Sequence, residues 1–184
     1  MSKQTVTFGN GELTIEDILD LASRKKLPAL SSDPEFINRI ESGWKFLEKL
    51  LKEDGVIYGV TTGYGDSCTV TVPTSLAYEL PVHLTRFHGC GLGEYFDEQQ
   101  SFGIVASRIA SLARGYSGVR KELLEQLVLL LKEGIAPLIP QEGSVGASGD
   151  LTPLSYVAAT LIGERDVIYK GEVCSAKDIY ARLN

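Results

Sequence analysis

The chain has 184 residues, long enough to bury a core as a single domain. Its 43% hydrophobic and 23% charged content are ordinary globular values, which argues against disorder and against a membrane protein. A formal net charge of −6 argues against a nucleic-acid surface, which needs clustered Lys and Arg.

The longest uninterrupted apolar run, Leu127 to Leu131, is far too short to span a bilayer. The opening residues Met1-Ser2-Lys3-Gln4-Thr5 contain no apolar segment, so no secretory signal is expected. Cys68, Cys90 and Cys174 are an odd set without CxxC spacing, as expected of reduced thiols in a cytoplasmic protein. His83 and His88 are the only histidines and lack the spacing of a metal site, so no metal is expected.

A short extended opening, Val6 to Phe8, leads into a turn at Gly9-Asn10-Gly11. Thr14, with Asp17 three residues on, predicts a capped first helix to about Arg24, and Pro28 ends that stretch. Asp33 and Pro34 suit the cap and first position of a second helix, which Gly55 stops. Along it Phe36, Ile40, Trp44, Leu47 and Leu51 recur on one face, the pattern of an amphipathic core helix. Val56-Ile57-Tyr58 is a short β-rich apolar run that gives way to a glycine-rich loop. Tyr58 fits either a packed aromatic with a satisfied hydroxyl or a site residue beside that loop.

Thr74 to Phe87 has helical character despite Pro81 and runs into Phe87-His88-Gly89-Cys90-Gly91-Leu92-Gly93. These glycines lack the spacing of a dinucleotide fingerprint, and His88 is open to a structural or a site role. Asp97 predicts the cap of a long helix through Phe102, Val105, Ile109 and Leu112, broken at Gly115 to Gly118. Another helix spans Val119 to about Lys132 with a leucine stripe typical of core packing. Gly134 ends it, and Pro137 and Pro140 keep the following segment extended.

Next, Gly143 to Asp150 forms a loop in front of an apolar helix from Leu151 to Ile162. Gly143, Gly146 and Gly149 let it fold tightly at positive φ, Asp150 is expected to cap the helix, and Pro153 fits its first turn. A glycine-rich loop at a helix N-terminus is also the form of an anion site, although the Lys of a phosphate loop is lacking. Val167 to Tyr169 and Glu172 to Cys174 read as a hairpin turning at Lys170-Gly171, before a short helix from Ala176 to Leu183. The expectation is one domain, mainly α with a few short β strands.

Ala147-Ser148-Gly149 alone is a weak signal, and its context carries more. Gly143 to Leu154 resembles the signature of the histidine, phenylalanine and tyrosine ammonia-lyases and their aminomutase relatives, with Pro137 and Pro140 where that family has prolines. Tyr58-Gly59-Val60-Thr61-Thr62-Gly63-Tyr64-Gly65 resembles the family's tyrosine loop, with Tyr64 where relatives usually carry Phe. Gly115 to Arg120 resembles its internal Gly-x-Ser-Gly-x-Arg segment, and Phe87-His88 falls where the family has a substrate-selecting pair. The resemblance implies the N-terminal domain of the ammonia-lyase fold over residues 1–184, an MIO-loop domain without the family's C-terminal helical bundle.

It also implies a chemistry. Ala147, Ser148 and Gly149 would cyclise to methylidene-imidazolone (MIO), a cofactor made from the chain without metal. The Gly149 amide nitrogen would attack the Ala147 carbonyl carbon, a close approach that glycine and a small neighbour permit. Loss of water from the ring and from Ser148 leaves an electrophilic alkene, which takes up the substrate amine and makes it a better leaving group. Tyr58 is implied as the general base for the β-proton, and a phenol, ionising near about 10, needs surroundings that favour the phenolate for that role. Ammonia and an α,β-unsaturated acid result.

His88 and Phe87 are implied as substrate-binding residues, and the pair combines features of the histidine, tyrosine and phenylalanine enzymes. The substrate is therefore open among those three amino acids, and lyase against aminomutase is open too. Pro81 and His83 stand where Gln and Asn are common, and Ala110 where Asn is usual. The implied partners are a small amino acid, with no nucleic acid or membrane, and a cytoplasmic homotetramer for the full-length family member. Without the bundle, the alternative is a catalytically incomplete domain acting as a fold or interaction unit.

Overall fold

In the computed structural model, which describes residues 4–53, 55–76 and 78–183, helices dominate and the strands are short. The first strand, β1 (Thr5–Phe8), precedes α1 (Ile15–Ala22). Thr14 Oγ1 accepts from the Asp17 amide at 3.1 Å, and the Asp17 carboxylate accepts from the Thr14 amide at 3.2 Å, the expected reciprocal cap. The helix ends before Arg24, whose φ of 56° leaves helical space.

Pro28 does not merely end that stretch. It lies in β2 (Leu27–Leu30), which pairs in parallel with β1. In a two-stranded sheet each strand has a free edge, so the missing proline N–H is tolerated. Lys26 ties this strand to α1 through ion pairs with Asp17 at 3.1 Å and Asp20 at 3.0 Å.

Helix α2 (Pro34–Glu53) starts where expected, the Asp33 carboxylate accepting from the Glu35 amide at 2.9 Å. Its apolar stripe enters the core only at its N-terminal end: Phe36 and Ile40 are buried, whereas Trp44, Leu47 and Leu51 are half-covered. No strand forms at Val56–Tyr58. The Thr61 and Thr62 hydroxyls instead accept from the Ile57 and Gly59 amides at 2.8 and 3.1 Å, and these local bonds replace a sheet ladder with a turn.

Pro81 sits in the first turn of α3 (Leu80–His88), where its missing N–H costs nothing. Strand β3 (Leu92–Tyr95) follows, then α4 (Glu98–Leu112), capped by Asp97 and Gln100. Helix α5 (Lys121–Glu133) begins two residues after the expected Val119 and stops at Gly134, with φ 75°. Phe8, Ile109, Leu124, Leu127, Leu130, Ile135 and Ile139 form the fully buried centre. Each such leucine contributes about 1.5–3 kcal/mol through burial.

The proline-bearing approach is strand-like twice over. Strand β4 (Ile135–Pro137) pairs antiparallel with residues 167–169, and β5 (Pro140–Glu142) pairs antiparallel with β3. Helix α6 (Leu151–Leu161) then runs into the expected hairpin, β6 (Asp166–Tyr169) and β7 (Glu172–Ser175). Lys170 and Gly171 both take positive φ, the twist a two-residue hairpin needs. Helix α7 (Ala176–Leu183) closes the fold with Ile179 in the core. Helix α3 packs along α6, and that contact places the two sequence-predicted segments together.

Candidate active site

The loop from Gly143 to Asp150 joins β5 to α6. Gly146 and Gly149 have φ of 80° and 69°, whereas Gly143 does not use the left-handed region expected of it. The φ of Gly149 favours glycine, and a Cβ there would lie 2.6 Å from Ser144 Oγ and displace that hydroxyl. Ser144 Oγ donates to the Gly149 carbonyl at 2.6 Å and ties the loop across its base. Asp150 does not cap α6 with its side chain. Its φ of −97° and ψ of −17° are helical, whereas a capping side chain needs an extended backbone to reach back to the first amides.

Ser148 lines a cavity of about 510 Å³ together with Tyr58, Tyr64, His88, Arg108 and Asp150. Leu84, Leu151, Leu154 and Ala158 supply apolar wall. Thus residues from the tyrosine loop, the end of α3, α4 and the glycine loop meet in one place. Ala147 and Gly149 flank Ser148 but do not line the space. Larger cavities, of about 690 and 660 Å³, open near Gly9 and Arg39 and contain none of the sequence-predicted residues.

The Tyr58 ring is not packed away: it is 63% exposed, although its hydroxyl oxygen accepts from the Gly65 amide at 3.0 Å. Tyr64 is half-buried, its ring centroid 6.3 Å from Tyr58 and 5.5 Å from His88. Burial pushes the Tyr64 phenol above its usual value, the neighbouring Tyr58 adds to this, and Arg108 opposes it. Phe87 touches the His88 ring edge-on at 5.1 Å but is 76% exposed and lies outside the cavity lining.

Arg108 went unnoticed in the sequence, yet a signal was present. Ser101, Val105, Arg108 and Leu112 fall on one helical face, and three of them are buried, so a charge interrupts a core stripe. Such an interruption marks a cavity or a partner.

The end of α3 is held by side chains from and beyond α6. The Tyr156 hydroxyl accepts from the Gly91 amide at 3.1 Å and donates to the Gly89 carbonyl at 3.2 Å. Arg165 lies over the Tyr156 ring, 4.3 Å from its centroid, and Arg86 pairs with Glu164. These ties fix where His88 meets the cavity. Among the described residues, no group of three or more His, Cys, Asp or Glu is placed to hold a metal, and no helix is long and apolar enough to cross a membrane.

Known proteins resemble this chain in sequence and in fold. A histidine ammonia-lyase of Staphylococcus aureus is 38% identical over 98% of this chain and 35% of its own length. The solved tyrosine aminomutase from Streptomyces globisporus superposes with a TM-score of 0.87 at 36% identity, covering 97% of this chain and 33% of that one. An ergothionase from Treponema denticola superposes with a TM-score of 0.90 at 26% identity, over 97% of this chain and 35% of that one. The chain therefore has the ammonia-lyase fold and spans about a third of the length of the curated relatives it matches. The family model for aromatic amino acid lyases matches residues 13–184, and the chain belongs to that family.

Proposed function

We propose that this chain carries the ring-forming and proton-removing part of an enzyme that eliminates ammonia from an aromatic or imidazole L-amino acid. The observation that carries the reading is the meeting of Ser148, Tyr58 and His88 in one cavity. Ala147, Ser148 and Gly149 suit an internal ring: Gly149 is held at φ 69° with the Ser144 hydroxyl where a Cβ would lie, and Ser144 ties the loop through the Gly149 carbonyl. When formed, that ring supplies the electrophile for the substrate's amine.

The chain's other residues have separate tasks. Tyr58 takes the β-proton, its oxygen aimed by the Gly65 amide. His88 offers an imidazole to the substrate's ring, and Phe87 braces that imidazole edge-on. Arg108 places a positive charge in the wall of a cavity meant for a carboxylate-bearing substrate.

Two further readings have specific support. Likeness to a tyrosine aminomutase, at 36% identity, nearly equals likeness to the lyase and supports transfer of the amine to the β-carbon instead of release. The exposure of Tyr58, Tyr78 and Phe87, at 63, 90 and 76%, supports a domain completed by further protein surface, as in a cytoplasmic homotetramer of full-length chains. On that reading the 184 residues alone are a fold or interaction unit.

Ammonia release from histidine, tyrosine and phenylalanine, followed with the absorbance of the unsaturated acid, tests the proposal. Release from one of them, abolished by Ser148→Ala, is the expected result, and a β-amino acid product points to the aminomutase. An intact mass short by two waters reports the ring directly. No product from any substrate, with both waters retained, leaves the incomplete domain as the correct reading.

A further inference from the structure

Tyr64 lies between the two rings that the proposed reaction uses, 6.3 Å from Tyr58 and 5.5 Å from His88. Its own ring rests on the backbone at Gly59, where a Cβ would come within 2.7 Å of Tyr64 Cε1. Gly59 also has φ 70°, so the turn that seats this ring depends on glycine twice. The Tyr64 ring is thereby fixed between a turn and an imidazole. The two phenols of the cavity differ at their oxygens. Tyr58 is engaged by the Gly65 amide, whereas the Tyr64 hydroxyl makes no hydrogen bond among the described residues.

Burial keeps the Tyr64 phenol protonated well past neutral pH, so it stands in the cavity as a hydrogen-bond donor. A partly desolvated donor is left unpaired by a plain phenyl group and is satisfied by a ring nitrogen or a phenol oxygen. The His88 imidazole beside it offers a second polar contact.

We propose that Tyr64, whose ring lies beside His88, is a specificity-determining residue, its hydroxyl selecting an amino acid with an imidazole or phenol ring over one with a phenyl ring. The identity of the ligand as an aromatic amino acid rests on the lyase reading above; the ring selection does not require the elimination to occur.

Imidazolepropionate, hydroxyphenylpropionate and phenylpropionate present the three rings without an amine to eliminate, so this test and the ammonia assay fail independently. Each is titrated by NMR into the 184-residue chain and into Tyr64→Phe. At least one polar-ring acid is expected to bind the wild type on the order of 10-fold more tightly than phenylpropionate, and Tyr64→Phe to bring that ratio close to unity. A ratio unchanged by Tyr64→Phe overturns the proposal, as do three acids that the wild type does not distinguish, including no binding by any. Circular dichroism checks the fold of the variant. Should it be lost, the Tyr64 ring signals of the wild type decide: polar-ring acids must shift them more than phenylpropionate, and an equal shift overturns the assignment.

Discussion

The Arg165 guanidinium donates to the Gly89 carbonyl at 2.6 Å, joining residues 76 positions apart in the chain. Arg165 itself has φ 62°, an unfavourable region for a residue with a Cβ. Gly89 lacks a Cβ at the point where one would run into that guanidinium. A strained backbone and a bare glycine thus meet to fasten the end of α3, next to His88, onto the far end of the helix that begins at the glycine loop.

Removing this clamp separates strain from contact. Arg165→Ala loses the hydrogen bond and the contact over Tyr156 while keeping the left-handed strain. Arg165→Gly loses the same contacts but relieves the strain, so it should be more stable than Arg165→Ala by about 1 kcal/mol. Urea denaturation of the pair measures the difference, and equal stabilities would show that the strain is absent.

Gly149→Ala should prevent ring formation, because a Cβ would meet Ser144 Oγ at 2.6 Å and the φ of 69° disfavours it further. The conformational part alone costs about 1–2 kcal/mol in the loop. Where the parent protein's mass is short by two waters, that of Gly149→Ala should retain both. Ser144→Ala keeps the glycine but loses the tie to its carbonyl, so the ring should form more slowly, read by the same mass against time.

Burial pushes the Tyr180 phenol up to about 12, and its buried hydroxyl has no hydrogen-bond partner among the described residues. The unfolded chain releases this proton near about 10, earlier than the folded one, so the unfolded state gains as pH rises. The stability of the fold is therefore unaffected by this titration below the unfolded value of Tyr180 and falls as pH rises toward its folded value. Tyr180→Phe should flatten the alkaline fall in melting temperature and, at neutral pH, stabilise by up to about 1 kcal/mol by removing the unpaired hydroxyl. An alkaline limb identical to the parent's would contradict this.

At the other end of the pH scale, the Thr14 amide, with help from Lys26, holds the Asp17 carboxyl below its usual 3.8. A depressed folded value means stability that is present above the unfolded value and lost as pH falls through the folded one. Thr14→Ala removes one half of the reciprocal cap and should cost about 1 kcal/mol at neutral pH. Thermal unfolding at neutral and acid pH checks both: the cost should persist at neutrality, and Asp17→Asn should blunt the acid loss.

Much of the fold was legible because it depends on near neighbours. The Thr14 and Asp97 caps, the stop at Gly134 and the Lys170-Gly171 turn are each decided within about four residues, the reach of a helical turn or a hairpin. The pairing of β1 with β2 was not legible, since Pro28 signals a break locally and becomes a strand only once β1 lies alongside. The failure of Asp150 to cap is of the same kind, because the helical backbone at that residue is set by how the whole loop is held.

The amino-acid sequence by itself determined the helical periods, the capped starts of α1 and α4, the stop at Gly134 and the Ala147-Ser148-Gly149 loop, since these follow from residue chemistry at short spacing, whereas the helix expected from Thr74 begins only at Leu80. Only the tertiary structure decided that Tyr58, Tyr64, His88, Arg108 and Ser148 share one cavity. Those residues come from four separate segments, and α3 packing on α6, locked by Tyr156 and Arg165 at Gly89, brings the His88 and Ser148 segments together. No pattern of spacing records such a contact, because its energy comes from groups that meet only after the chain has folded.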